Sequence, residues 1–119
     1  MTIEIPVSRK FIFAFVALFA LTLLGACSKG ADSEEAMMRA GLDALYTRRD
    51  PIEAAAQFRQ VLERNPTHYG ATYQLAAALD AAGKPSEARP LWEKVLQMAE
   101  ESNDKPTADT ARTRLTQQP

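Results

Sequence analysis

The chain holds one histidine, His68, and one cysteine, Cys27, so any imidazole or thiol chemistry rests on those two positions. A nucleophilic triad needs a nucleophile, a base and an orienting acid in mutual contact, and no such set is spelled out here. His68 falls in the turn stretch Asn65-Pro66-Thr67-His68, where a lone histidine is expected to be solvated rather than catalytic. A metal centre wants three or four His, Cys or carboxylate ligands at suitable spacing. The nearest approach, Glu100, Glu101 and Asp104, reads instead as a helix end facing solvent. No glycine-rich phosphate loop follows a strand, and no strand is expected. The sequence therefore predicts no catalytic, cofactor-binding or metal site, and a protein that is not an enzyme.

Cys27 has a different prospect. Arg9 and Lys10 precede an unbroken apolar run from Phe11 to Leu24, followed by Gly25 and Ala26. A positive start, an apolar run of about 7–15 residues and a small-residue exit are the parts of a secretory signal. A membrane span would need roughly 20 apolar residues. Leu24-Gly25-Ala26-Cys27 resembles the bacterial lipobox, whose cysteine is lipidated and becomes the first residue of the mature chain. A thiolate is the nucleophile that can take up a diacylglyceryl group, and a single leftover cysteine in an exported chain calls for such an explanation. The alternatives are a plain cleaved signal, or an uncleaved anchor with a free thiol. The resemblance implies residues 1–26 as a cleaved signal, a multiply acylated Cys27, and a place in the bacterial envelope facing the periplasm. Several acyl chains anchor stably where one does not. Ser28 after the cysteine implies the outer rather than the inner membrane. Residues 27–33 are small and polar, a flexible tether with no apolar period to fold on.

The remaining residues, 34–119, must form the working domain. Over the whole chain, fourteen Lys and Arg against fifteen Asp and Glu give a net charge of −1, without the basic field of a nucleic-acid binder. Apolar residues recur at helical spacing throughout. A first helix carries Met38, Leu42 and Leu45, starts near Ser33 and stops around Arg49, since Asp50 precedes a proline. Pro51 opens a second, with Ile52, Ala55, Phe58, Val61 and Leu62, closed by Asn65-Pro66. A third runs from about Thr67 to Ala82 with Tyr69, Thr72, Leu75, Ala76 and Leu79 inward. Gly83 ends it in a left-handed conformation. Pro85 opens a fourth with Ala88, Leu91, Trp92, Val95 and Met98. A last helix over about 104–117 carries Ala108, Ala111 and Leu115, with Arg112 and Arg114 outward.

The second and fourth helices repeat one another. Pro51, Glu53, Ala54, Phe58, Val61 and Leu62 stand opposite Pro85, Glu87, Ala88, Trp92, Val95 and Leu96 after a shift of about 34 residues, a known helix–turn–helix repeat period. In the second copy Leu75, Ala76, Leu79, Gly83, Ala88, Trp92 and Val95 occupy the leucine, small, large apolar, turn-glycine, alanine, aromatic and small apolar slots of the tetratricopeptide repeat, and the chain resembles that family. Three positions depart from the pattern: Gly41-Leu42 inverts the usual order, Arg49 stands in place of the turn glycine, and Glu100 in place of the repeat-ending proline. The resemblance implies an all-α, short helical solenoid: repeat one over about 35–68, repeat two over about 69–102, and a capping helix with a polar outer face.

The resemblance also implies the work. The family binds proteins, and the first helix of each hairpin lines its concave side. The matching candidates for a peptide groove are Arg39, Asp43 and Tyr46 in repeat one and Tyr73 and Asp80 in repeat two, with Thr47, Ala77 and Ala81 beside them. The two tyrosines could equally pack between hairpins with wet hydroxyls. The expected function is a lipid-anchored adaptor or assembly factor for an envelope complex, with a protein or peptide partner and the membrane held through Cys27. The alternatives are a self-associating structural lipoprotein, hence a homo-oligomer, or an accessory subunit of a secretion, pilus or enzyme complex.

Overall fold

The computed structural model describes residues 33–119. The signal run, Cys27 and the tether up to residue 32 lie outside the described residues. Among the described residues there are only helices. Helix α1 spans Glu34–Leu42 and passes directly into a π-helical segment, Asp43–Thr47; α2 spans Pro51–Arg64, α3 Tyr69–Ala81, α4 Pro85–Glu101 and α5 Lys105–Gln117. Each packs chiefly on its neighbours in the chain, so the domain is a series of hairpins.

Local chemistry sets the boundaries. Pro51, Pro85 and Pro106 sit in the first turns of their helices, where a missing N–H costs nothing. Asp50 caps α2 by accepting the Glu53 N–H at 3.0 Å, and Asp104 caps α5 by accepting that of Thr107 at 3.3 Å. His68, expected to be a solvated turn residue, caps α3: its Nδ1 accepts the Ala71 N–H at 3.0 Å. The helix therefore begins at Tyr69, two residues later than the sequence suggested.

Three residues take left-handed backbone where helices end: Arg49 (φ 56°), Gly83 (φ 72°) and Asn103 (φ 59°). Lys84 N–H reaches Leu79 O at 2.9 Å and Asp104 N–H reaches Ala99 O at 2.8 Å, the closing bond of a Schellman-type stop. At the first turn, Asp50 N–H reaches Ala44 O at 2.8 Å, one residue further back. The π-helical segment absorbs that extra residue, and Arg49 does what Gly83 does in the next hairpin.

The buried stripe of α1 lies one residue earlier than the sequence suggested. Met37, Gly41 and Ala44 are the buried positions, whereas Met38, Leu42 and Leu45 flank the core half-exposed. Gly41 is buried because the Phe58 ring lies against it: a Cβ there would sit 2.6 Å from Phe58 Cε1. The inverted Gly41-Leu42 pair is thus a close-packing device.

The core runs from Ala44, Ala54 and Phe58 through Leu75, Ala76 and Leu79 to Ala88, Trp92, Val95 and Ala111. Phe58 and Trp92 are its largest fully enclosed side chains. Ile52, expected inside, is 67 % exposed. At 100° per residue it lies roughly a third of a turn away from the arc of Ala54, Ala55, Phe58 and Val61. Ala108 and Ala111 face inward on α5, while Asp109, Arg112, Thr113 and Thr116 are exposed, giving the last helix a polar outer side. Among the described residues, no helix is long and apolar enough to cross a membrane.

Candidate functional site

The first helix of each hairpin carries the candidate binding positions. Arg39, Asp43 and Tyr46 follow one another at spacings of four and three, so they share a helix face, and all three are exposed. Arg39 pairs with Glu35 at 3.0 Å and Asp43 with Arg48 at 3.1 Å. Exposed pairs of this kind contribute about 0–1 kcal/mol and exchange readily for a partner's groups. Tyr46 is 62 % exposed, yet its hydroxyl donates to Gln74 Oε1 on α3 at 3.0 Å. Its ring is displayed while its tip is fixed.

Tyr73 and Asp80 on α3 have more internal roles. The Tyr73 ring meets the Trp92 ring edge-on, with centroids 5.3 Å apart and planes at 89°, a geometry that contributes about 0.5–1.5 kcal/mol beyond burial. Asp80 Oδ2 accepts the Trp92 indole N–H at 2.8 Å, and Oδ1 accepts from Gln118 Nε2 at 2.9 Å. Both Asp80 oxygens are engaged within the domain, so Asp80 orients the central tryptophan. The Arg114 guanidinium lies 6.0 Å from the centre of the Trp92 ring, within cation–π range.

Other contacts hold successive hairpins in register. Tyr46 to Gln74, Arg59 to Glu87 at 3.0 Å and Lys94 Nζ to Pro66 O at 2.7 Å each join residues 28 apart. Toward the last helix, Tyr69 Oη donates to Asp104 Oδ2 at 2.8 Å, and Arg112 pairs with Glu100 at 2.6 Å. Burial pushes the Tyr69 phenol above its ordinary value. Hydrogen bonds from the Thr107 hydroxyl, Tyr69 and the Thr107 backbone hold the Asp104 carboxyl below its own.

A tetratricopeptide repeat profile matches residues 45–115, more than half of the chain. The chain belongs to the tetratricopeptide repeat family. Neither the curated proteins nor the solved structures give a match. The profile takes in α2 to α5 and only the end of the segment after α1, so Gly41 lies outside it. Tetratricopeptide repeats are in general non-catalytic scaffolds that bind proteins, and that is the kind of work this domain is built for. Among the described residues no cluster of three or more His, Cys, Asp or Glu could hold a metal ion.

Sequence reasoning missed Gln74, Gln118 and the Asp80–Trp92 bond. Gln74 and Gln118 belong to no apolar stripe, so only the fold could show what they reach. The Asp80–Trp92 pair spans 12 residues across the hairpin turn, a distance that helical periodicity within either helix does not report.

Proposed function

We propose that this tetratricopeptide repeat protein is a lipid-anchored binding module that faces the periplasm from the outer membrane through Cys27 and acts as an adaptor or assembly factor for an envelope complex. The observation that carries the binding part is the displayed Tyr46, whose hydroxyl is bonded to Gln74 and so ties the π-helical segment after α1 to α3. An exposed tyrosine beside Arg39 and Asp43 is the type of group that dominates interface energetics. Tyr73 supports the face from below through Trp92. The anchor part rests on the sequence Leu24-Gly25-Ala26-Cys27 behind an apolar run. Holding a binding face at a membrane raises its effective concentration toward partners there without any new contact.

The test is native mass spectrometry of the chain extracted from cell membranes in mild detergent, beside a Cys27→Ser variant. The expected result is a diacylglyceryl-sized mass on Cys27 and a second, different polypeptide in the complex. A mass that is a multiple of this chain alone would favour a self-associating lipoprotein. A soluble, unlipidated and solitary chain would overturn the reading.

A further inference from the structure

The face around Tyr46 continues to the turn between α1 and α2. Leu45, Tyr46, Arg49, Pro51 and Ala81 line an open depression of about 490 Å3. Arg49 forms no ion pair or side-chain hydrogen bond among the described residues, whereas every other arginine there is engaged. It also holds a left-handed backbone at φ 56°, where the next hairpin uses Gly83. A bulky residue in that conformation costs about 1–2 kcal/mol, and such an outlier is a reasonable starting point for a functional hypothesis. Tyr46 and Ile52 are the exposed large apolar side chains of the domain, and both stand close to Arg49 in the chain.

We infer that this depression receives a peptide segment of a partner protein carrying one aliphatic and one acidic side chain. The acid pairs with Arg49, and the aliphatic group lies against Leu45, Tyr46 and Pro51. This deepens the protein-binding reading above and rests on it. Charge complementarity decides for a peptide over an anionic bilayer. Asp43, Asp50 and Glu53 flank Arg48 and Arg49 in sequence and Arg48 is paired with Asp43, so among the described residues this turn offers Arg49 as its one unpaired cation and no basic field. A lone guanidinium beside Leu45, Tyr46 and Pro51 suits one carboxylate bound in fork geometry.

The experiment measures fluorescence anisotropy of labelled hexapeptide pools with blocked ends, titrated with the full chain in detergent micelles. The first pool fixes a leucine and a glutamate two residues apart. Matching pools carry glutamine or lysine in place of the glutamate. The expected result is preference for the glutamate pool, weakened about tenfold or more by Arg49→Gly, the size of one lost charge-assisted bond. That variant places at this turn the residue Gly83 supplies at the next, so it keeps the fold. Arg49→Glu is expected to turn the preference toward the lysine pool. Equal binding of all pools, or binding unchanged by Arg49→Gly, would overturn the assignment while leaving the module reading intact. So would binding to phosphatidylglycerol vesicles with no peptide preference, or no peptide binding by a chain that still shows a different polypeptide in its native mass.

Discussion

Alanine normally improves a helix at the expense of glycine by about 1 kcal/mol, so Gly41→Ala would ordinarily be a stabilising change in α1. The structure predicts the opposite sign. A methyl group at Gly41 would lie 2.6, 2.8 and 3.0 Å from Phe58 Cε1, Cζ and Cδ1, closer than carbon atoms pack. Phe58 is fully enclosed, among side chains that leave its ring nowhere to swing. Overpacking of this kind costs about 1–3 kcal/mol, which outweighs the propensity gain over most of its range. The expected net loss of up to about 2 kcal/mol lowers the melting temperature of a domain this size by about 4–8 °C per kcal/mol. Urea and thermal unfolding followed by circular dichroism would measure it. Phe58→Leu, destabilising alone, should recover part of the loss when combined with Gly41→Ala, because the two positions touch and their effects will not add. A Gly41→Ala domain more stable than wild type would refute the close approach of α1 to α2.

Other perturbations follow the same logic. Arg49→Gly should raise stability by about 1 kcal/mol by relieving a left-handed non-glycine residue, and Gly83→Ala, with open space around it but φ 72°, should lower it by a similar amount; equilibrium unfolding of both reads the contrast. His68→Ala should cost about 1 kcal/mol by removing the α3 cap, while His68→Asn should keep most of it; equal losses from both would rule out capping. The Asp104 carboxyl is held below its ordinary value in the folded state, so its contribution is complete above the unfolded value. It is lost as pH falls through the folded one, below about pH 4. Acid unfolding of Asp104→Asn should therefore show a shallower dependence on pH than wild type in that window, and identical curves would count against the Tyr69–Asp104–Thr107 cluster.

The architecture was legible because helical spacing and prolines are local signals. Pro51 and Pro85 fixed two helix starts, and Ala54, Phe58, Ala88 and Trp92 stood where a hairpin repeat needs them. Arg49 was visible as a departure from the turn glycine, and the structure shows it adopting glycine's conformation all the same. What stayed hidden depended on the register of helices against each other. The buried stripe of α1 lies one residue earlier than the apolar spacing suggests, and no residue type announces the π-helical segment over Asp43–Thr47. Of the five groove candidates, Tyr46 is displayed on the surface and Asp80 is bonded to Trp92 and Gln118. Spacing alone treats the two alike, because both occupy first-helix positions. The difference comes from the indole N–H, which needs a partner when its ring is enclosed.

In-cell photo-crosslinking tests most directly whether protein binds at the face around Tyr46, where the segment after α1 is bonded to α3. A photoreactive residue would replace Tyr46, which is exposed and central to that face, and in a second strain Arg59, exposed on α2. Tyr73 is a poorer position because its ring packs on Trp92. The expected result is one discrete adduct with a different protein from position 46 and none from position 59. An adduct from position 59 alone, or only a doubled copy of this chain from position 46, would contradict the claim.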